Sequence, residues 1–466
     1  MINKKVVGKQ KQDNYLYDKN KKHNQLRNNI FEFTSADIYG RVISLRYKLT
    51  GGPNPDIEFE EKIELPEEIP EPDPRDPVVQ ELLDGIHRVF GVSYFKTAVP
   101  PHIVAPPVTE QDALFWDTLY TEGLGEFWYR NNLDPTGRVH FPRGENMPVR
   151  TTQCLTEDRV FVLVGGGKDS AVAREIVRHA GIQADALSLG NSEWQRRSVS
   201  AMDLRHIVIR RSIDPKLFEL NRQGALNGHI PISACIAFIS MLVSYVGGYS
   251  SVVAANERSA YESNLIWHGI SVNHQWSKSL QFEESFQNWC DRRFLNGPRY
   301  FSILRTMGEL SIAEMFTRHP AYFDRFASCN ANFRHLPGTE TPRWCGNCPK
   351  CVFVQLMLAP YLSNEVLLNI FGRDFLSDQK NHSIIEALVG IRGFKPFECV
   401  GTIEESRAAL ARLANKGQLH GYIYDWYVEH VTPIIGDADD AWEKARLIYG
   451  SHRIPKIWQE RLHAYL

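Results

Sequence analysis

The fold of this chain is decided by the segment Phe161-Val-Leu-Val-Gly-Gly-Gly-Lys-Asp-Ser170. Its apolar residues predict a short buried strand, and a helical pattern then runs from Ala171 to about Ala180. Glycines at the turn let the backbone approach a ligand and point its N–H groups at an anion. The helix start adds free amides and the positive end of the helix dipole. The segment therefore predicts a phosphate-binding loop, and the alternative is a glycine-rich turn that binds no ligand.

This loop is neither of the two common nucleotide-binding motifs. A Walker A loop needs a glycine where this chain has Val162, and G-x-G-x-x-G needs one where it has Ser170. The loop resembles the Ser-Gly-Gly-x-Asp-Ser loop of the ATP pyrophosphatases, with Gly165 in place of the first serine. The resemblance implies a sheet of the adenine-nucleotide alpha-hydrolase type and cleavage of ATP between its α and β phosphates.

The same resemblance implies which residues contact ATP and Mg²⁺. We expect Lys168 to bind the pyrophosphate and to face the ligand rather than the core, and Asp169 to lie near the metal. The residues of the expected ATP loop are Gly165, Gly166, Gly167, Lys168, Asp169 and Ser170.

The composition is that of an ordinary globular protein, with 466 residues, 43% of them hydrophobic, and a net charge of −2. A chain of this length is expected to form two or three domains. The pI of 6.8 and the absence of a basic stripe argue against a nucleic-acid partner. The Lys/Asn-rich start has no apolar core for a signal peptide, and no apolar run reaches transmembrane length. We therefore expect a cytoplasmic protein with no membrane partner.

Strands and helices alternate through the middle of the chain. The expected strands lie near 160–164, 184–189, 206–211 and 250–255. The alternation predicts a doubly wound parallel sheet with right-handed crossovers, so we expect an α/β protein. The expected segments are a disordered or loosely docked tail (1–30), an α+β N-terminal domain that could recognise the substrate (31–150), the nucleotide domain (151–360) and a mostly helical region (361–466).

The N-terminal domain combines a β-meander with helices. Apolar and polar residues alternate from about residue 31 to 64 around a Gly/Pro turn, which predicts paired strands. Helices are expected over 78–90 and 110–130, with an aromatic loop over 92–96 between them.

Ligands bind at the carboxyl ends of the strands in a doubly wound sheet. Asn256-Glu-Arg-Ser259 follows the last expected strand, and the segment runs on to His274 and Lys278. It is too polar for a core helix and too aromatic for an ordinary solvated loop, although a surface loop remains the alternative. We expect Asn256 and Arg258 to bind the nucleotide, while Glu257 and His274 are candidate bases.

The cysteines of Cys345-Gly-Asn-Cys-Pro-Lys-Cys351 have the spacing of a metal site. A turn containing Gly346 and Pro349 can wrap the three thiols around one ion, and Cys329 is the obvious fourth ligand. Four thiolates suit a closed, structural Zn²⁺ site. An iron–sulfur cluster and four reduced cysteines without metal are the alternatives. The ligand set is Cys329, Cys345, Cys348 and Cys351.

Several further segments form one pattern: Ala254–Ser259, Val272–Lys278, Tyr300–Arg305, Trp344–Cys351 and Lys395–Gly401, with Gly91–Lys96 and Gly125–Phe127 in the N-terminal half. Together they resemble one family, the UDP-N-acetylmuramoyl-L-alanyl-L-glutamate epimerases of the MurL type. The resemblance implies ATP- and Mg²⁺-dependent inversion of the terminal L-glutamate of UDP-MurNAc-L-Ala-L-Glu. It also implies functional coupling to the ligase that adds L-glutamate.

Inversion needs groups that remove and return the α-proton. Cys399 is the best candidate, because it lies in a Pro/Gly-flanked loop beside Glu398 and not on a periodic apolar face. A small packed residue is the alternative. The catalytic candidates are Lys168, Cys399, Glu398, Glu257 and His274.

Other functions remain open at the level of sequence. The phosphate loop alone fits an ATP-dependent ligase or amide synthetase that adenylates a carboxylate and passes it to an amine. It also fits an RNA-modifying enzyme, which the near-neutral pI disfavours. A non-catalytic zinc module is the weakest reading, because it has no use for the phosphate loop.

Overall fold

The computed structural model describes residues 26–144, 150–151, 159–333 and 343–463. Most of the expected N-terminal tail lies outside the described residues. The strands within these ranges are β1 (Ile30–Tyr39), β2 (Val42–Thr50), β3 (Ile57–Glu64), β4 (His102–Val104), β5 (Arg150–Thr151), β6 (Arg159–Leu163), β7 (Gln183–Leu189), β8 (His206–Ser212), β9 (Ser251–Ala254), β10 (Leu265–Trp267), β11 (Ile270–Val272), β12 (Phe294–Leu295) and β13 (Arg299–Ser302).

The helices surround these strands and fill most of the C-terminal part. They are α1 (Pro77–Phe95), α2 (Glu110–Glu122), α3 (Gly125–Arg130), α4 (Lys168–His179), α5 (Glu193–Met202), α6 (Pro215–Arg222), α7 (Ile232–Gly247), α8 (Leu280–Asp291), α9 (Glu309–Thr317), α10 (Pro349–Leu358), α11 (Asn364–Phe371), α12 (His382–Leu388), α13 (Ile403–Asn415), α14 (Tyr422–His430), α15 (Thr432–Ile435), α16 (Ala438–Arg446) and α17 (Lys456–His463). None of these helices is both long and apolar enough to cross a membrane.

The main sheet has nine strands in the order β13-β9-β6-β7-β8-β3-β2-β1-β4. Neighbouring strands from β13 to β8 are parallel, which confirms the expected parallel core. The meander adds antiparallel strands, because β3 pairs with β8 and then with β2. The chain is therefore a mixed α/β protein with a large, mostly parallel sheet.

The meander and the parallel strands bury their side chains in one shared core. Phe31 and Tyr47 of the meander belong to the same buried cluster as Phe161 of β6 and Phe238 of α7. A second buried cluster joins the other face of the parallel strands to the C-terminal helices. The division into segments 31–150, 151–360 and 361–466 stays a prediction.

Two expectations for the N-terminal half are wrong. Residues 92–95 are not an aromatic loop but the last turn of α1, where Tyr94 and Phe95 are fully buried. The helix buries most of its faces, so its apolar residues do not show the one-sided periodicity of a surface helix. The helix expected over 110–130 is two helices, and the first has its C-cap at Gly123.

Candidate active site

The glycine-rich loop joins β6 to α4 at the carboxyl edge of the parallel strands. Gly166 has φ = +93°, a left-handed conformation that favours glycine. Ser170 Oγ donates a hydrogen bond to the carbonyl of Gly167 at 3.0 Å, and no side chain of the described residues caps the start of α4. The first amides of the helix therefore stay available to an anion.

Lys168 is buried, with 1% of its surface exposed. Its Nζ forms ion pairs with Asp169 at 2.5 Å and with Glu309 at the start of α9. Burial alone would lower the pKa of Lys168, but the two carboxylates outweigh it and raise that pKa. The expectation that Lys168 faces a ligand rather than the core is wrong in part, because this side chain also neutralises buried acids.

Asp169, Glu257 and Glu309 form an acidic cluster. One carboxylate oxygen from each lies within 4.8 Å of the others, and Glu257 and Glu309 are buried. Glu309 Oε1 is buried and has no hydrogen-bond partner among the described residues. Carboxylate oxygens are the ligands that Mg²⁺ prefers, so this donor set fits that ion. Glu257, a candidate base from the sequence, therefore lies among groups that could hold a metal ion.

Cys399 lies in the loop before α13, surrounded by cationic groups. Lys278 Nζ is 3.3 Å from its Sγ, and Lys350 Nζ donates a hydrogen bond to its carbonyl oxygen. The His274 imidazole also acts on the thiol and lowers its pKa. Burial alone would raise the pKa of the Cys399 thiol, but Lys278 and His274 outweigh it and lower this pKa to about 6. Cys399 is therefore a thiolate at neutral pH.

His274 bridges Cys399 and a carboxylate from the N-terminal half. Its Nδ1 lies 2.5 Å from Oε2 of Glu126 on α3. Burial would lower the pKa of His274, but the contacts with Cys399 and Glu126 raise it to about 10. The pKa of Glu126 falls to about 2 despite burial, because His274 hydrogen-bonds it. The ring of His229 lies 4.1 Å from that of His274, and burial lowers the pKa of His229 to about 3.

Polar side chains fix the Cys399 loop against the strand-end segment. Asn264 donates hydrogen bonds to the carbonyls of Lys395 at 3.0 Å and Pro396 at 2.7 Å. It also accepts one from the backbone N–H of His274 at 2.8 Å. Gln275 donates to the carbonyl of Val400 at 3.0 Å. These bonds hold the thiol and the imidazole at one relative position.

The acidic cluster and the Cys399 group lie in one electrostatic centre. Lys278 and Lys350 both lower the pKa of Asp169, and both also lower that of Cys399. The structure therefore brings together residues that the sequence separates by more than 200 positions. Glu398 belongs to the same centre, and burial raises its pKa to about 7 while its Oε2 has no hydrogen-bond partner among the described residues.

Asn256 and Arg258 have structural partners of their own. The backbone of Asn256 exchanges hydrogen bonds with Ser302 Oγ at the end of β13. The Arg258 guanidinium donates to the carbonyls of Thr306 at 3.1 Å and Leu447 at 2.6 Å, and it stacks 4.0 Å above the Tyr449 ring. Arg258 therefore holds the C-terminal segment, and nucleotide binding by these two residues stays a prediction.

Sequence reasoning missed several residues of this centre. Glu126, Lys278 and Lys350 stand inside segments that carry the family resemblance, but nothing in their spacing assigns them a role. His229 and Glu309 have no signal in the sequence, because each is a single polar residue in an otherwise unremarkable stretch. Only folding brings them within contact distance.

The sulfurs of Cys329, Cys345, Cys348 and Cys351 lie within 4.8 Å of one another. Cys345 Sγ and Cys351 Sγ are 3.8 Å apart, too far for a disulfide. A tetrahedral ion with Zn–S bonds of about 2.3 Å places its sulfurs about 3.8 Å apart. The four thiols therefore fit a single Zn²⁺ ion.

This cysteine site adjoins the phosphate loop. Ala327 N donates a hydrogen bond to the carbonyl of Gly166 at 3.0 Å, two residues before Cys329. A Cβ atom built on Gly167 would meet Ser328 Oγ at 3.0 Å. The residues just before Cys329 thus pack against the glycine-rich loop and stabilise its conformation.

The fold and this site define a mixed α/β protein in which a glycine-rich loop, an acidic cluster and a cysteine–histidine pair share one centre. The MurL N-terminal domain matches residues 20–303 and the MurL C-terminal domain matches residues 325–433. The chain belongs to the MurL family.

Three similar proteins are each named UDP-N-acetyl-alpha-D-muramoyl-L-alanyl-L-glutamate epimerase. The one from Xanthomonas oryzae pv. oryzae is 39% identical over 83% of this chain and 86% of its own length. The one from Micromonospora sp. is 38% identical over 93% of this chain and 97% of its own. The one from Salinispora tropica is 39% identical over 89% and 90%.

Proposed function

We propose that this chain inverts the terminal L-glutamate of UDP-MurNAc-L-Ala-L-Glu to D-glutamate for peptidoglycan synthesis, and converts ATP to AMP and diphosphate as it does so. The names of the relatives support the substrate and the inversion. One observation carries the ATP-dependent part: Lys278 lies 3.3 Å from Cys399 and also acts on Asp169 of the phosphate loop. Activation of the α-carboxylate and proton exchange at the adjacent α-carbon can therefore occur in one site.

The chemistry explains why an epimerase would use ATP. The α-proton of a glutamate is barely acidic, because its removal beside a carboxylate would build a dianion. Attack of the α-carboxylate on the α-phosphate of ATP forms an acyl-adenylate and releases diphosphate. The α-carboxylate then no longer carries a negative charge, so the α-carbon can lose its proton and form an enolate. Water finally cleaves the anhydride, which gives AMP and the free D-glutamyl product.

The phosphate loop and the acidic cluster serve the first step. The free amides at the start of α4 and the Lys168 ammonium would hold the departing diphosphate. Asp169, Glu257 and Glu309 would hold Mg²⁺, which offsets the charge of the phosphates. On this proposal the nucleotide-binding half belongs to the ATP pyrophosphatases, with a sheet of the adenine-nucleotide alpha-hydrolase type.

Cys399, His274 and Glu398 serve the inversion. A thiolate at Cys399 can take the α-proton, since its pKa of about 6 leaves it ionised at neutral pH. Glu398 is the candidate acid for the opposite face, because burial raises its pKa to about 7 and keeps a proton available. Different environments thus reverse the usual order of the two pKa values, because the Cys399 thiol becomes the stronger acid and the Glu398 carboxyl the weaker one.

A structural Zn²⁺ ion completes the proposal. Four thiolates leave no open coordination position, so the ion would hold the chain rather than take part in the reaction. The single-ion spacing of the sulfurs favours zinc over a multi-iron cluster, whose cysteines bind separate iron atoms. We further propose that the protein works in the cytoplasm on the product of the ligase that adds L-glutamate.

The decisive experiment mixes the protein with UDP-MurNAc-L-Ala-L-Glu, ATP and Mg²⁺ and resolves the product diastereomers by chromatography. We expect the D-glutamyl diastereomer, with AMP formed and no amide product when ammonia or an amine is present. An amide product would support the ligase reading instead. Inversion that proceeds without ATP would refute the adenylation step.

A further inference from the structure

The strongest relationship without an assigned role is the one between Glu126 and His274. Glu126 comes from α3 in the N-terminal half, and its side chain is buried. Its Oε2 contacts His274 Nδ1 at 2.5 Å, while its Oε1 forms an ion pair with Arg130 one turn further along α3. Arg130 stacks 5.0 Å from the ring of Phe397, two residues before Cys399. The carboxylate is therefore held from both sides.

We propose that Glu126 is a positioning residue that keeps the His274 imidazole cationic and directed at the Cys399 sulfur. The resting enzyme then carries a thiolate–imidazolium pair, and Cys399 is the base that takes the proton from the L-substrate. This inference rests on the proposed function and deepens it, since it assigns the direction of the first proton transfer.

The geometry supports an arrangement in which Glu126 contacts His274 and His274 acts on Cys399. His274 Nδ1 contacts the carboxylate at 2.5 Å, which leaves the other ring nitrogen for the Cys399 thiol, whose pKa the imidazole lowers. A neutral imidazole would lack a proton for one of these two acceptors. Catalytic triads use the same arrangement. In them a third group orients the histidine, and the histidine activates a nucleophile.

The other charged groups around the pair agree with this assignment. Lys278 faces the thiol and stabilises its anion, while His229 is neutral and adds no competing charge beside His274. Lys350 also lowers the pKa of Cys399, whereas Glu398 lies beside the pair as a carboxyl group with a raised pKa. The titratable groups of the centre are Glu126, His229, His274, Lys278, Lys350, Glu398 and Cys399, together with Lys168, Asp169, Glu257 and Glu309 of the acidic cluster.

The test is the titration of His274 in wild type and in Glu126→Gln. NMR of protein with ¹³C-labelled histidine rings reads each imidazole directly, and the signal missing in His274→Gln assigns the residue. We expect His274 to stay protonated up to a pKa of about 10 in wild type. In Glu126→Gln its pKa should fall by about one unit or more, because the anion that favours the charged ring is gone. Glu126→Asp should restore part of the shift.

Kinetics supplies the second readout. Inversion by Glu126→Gln should fall about 100-fold, and the acidic limb of its pH profile should move to higher pH, because a less firmly held imidazolium stabilises the Cys399 thiolate less. AMP formation should persist, because the phosphate loop is unchanged. The matched control is Glu110→Gln, a change to an exposed glutamate on α2 that forms a surface ion pair with Arg143. Its titration and rates should equal those of wild type.

Three outcomes would overturn the inference. The first is the same His274 pKa in wild type and Glu126→Gln, and the second is lost inversion with an unmoved pH profile and a lower melting temperature. The third is a metal ion bound by Glu126, His229 and His274, whose ligand atoms lie within 4.8 Å of one another. A wild type that makes no D-glutamyl product refutes the proposed function instead, and the titration still decides the role of Glu126.

Discussion

Lys278 Nζ lies 3.3 Å from Cys399 Sγ, although 121 positions separate the two residues in the chain. This contact joins the strand-end segment after β9 to the loop before α13. It places a permanent positive charge against the only thiol in the described centre. The reactivity of that thiol follows from the contact.

Lys278→Met should raise the pKa of the Cys399 thiol. In wild type the thiol has a pKa of about 6, so its reaction with iodoacetamide should increase as the pH rises through that value. Removal of the ammonium destabilises the thiolate, so the variant should need a higher pH to react. Mass spectrometry of the peptide that contains Cys399 measures the rate, with exposed Lys216→Met as the control. Equal pH profiles would contradict the assignment.

Cys399→Ser should separate activation from inversion. A serine hydroxyl is a far weaker acid than a thiol and cannot carry the proton at neutral pH. AMP release should therefore persist while inversion falls about 100-fold or more. In D₂O the wild type should give D-glutamyl product with deuterium at Cα, and mass spectrometry reads the label.

A Cys399→Ser variant that inverts at the wild-type rate would move the role to Glu398, His274 or Glu257. Wild-type product without deuterium would indicate a single base shielded from solvent.

Lys168→Ala should abolish AMP release and also destabilise the fold. The lysine neutralises Asp169 and Glu309, and loss of one partner of a buried ion pair costs about 3 kcal/mol. The double variant Lys168→Ala/Glu309→Ala also removes the Glu309 charge, so its melting temperature should recover in part, with Asp169 still unpaired, and AMP release should not return. AMP release at the wild-type rate by folded Lys168→Ala would refute the role of the loop.

Glu309→Gln should weaken metal binding, because it removes one anionic oxygen from the acidic cluster. The Mg²⁺ concentration for half-maximal AMP release should rise about tenfold, which equals about 1.4 kcal/mol of binding free energy. Mn²⁺ bound by the protein, measured by electron paramagnetic resonance, gives a readout independent of activity. Glu443→Gln, a change to an exposed glutamate on α16, is the control. An unchanged Mn²⁺ affinity would exclude Glu309 as a ligand.

Protein purified under reducing conditions without added metal should contain about one zinc ion per chain by elemental analysis. Cys329→Ser should lose that ion and melt at a lower temperature, because metal binding and folding are coupled. The affinity for ATP should also fall, since Ala327 holds the carbonyl of Gly166. Cys290→Ser, a change to a buried cysteine outside the cluster, should keep its zinc. Protein without metal, or with iron, would contradict the assignment.

Local patterns predicted much of the fold. The strand–glycine–helix segment at 161–170 is readable because apolar residues, glycines and the helix start follow one another without interruption. The alternating meander and the parallel strands also follow from short-range periodicity. The sequence predicts too short a helix α1. This helix is buried on most of its faces, so its sequence lacks the one-sided apolar pattern from which the length of a surface helix can be read.

The sequence by itself determined which chemical groups this protein has available: a glycine-rich loop before a helix, a set of four cysteines and a lone cysteine in a Pro/Gly-flanked loop. Only the tertiary structure decided their partners. Glu126, His229, Lys278 and Glu309 are single polar residues in distant segments, and no local spacing relates them to Cys399 or Lys168. The physical reason is that pKa values and ion pairs depend on distances of a few ångströms in a buried place. Such distances arise only when the sheet edge, α3 and the loop before α13 pack together.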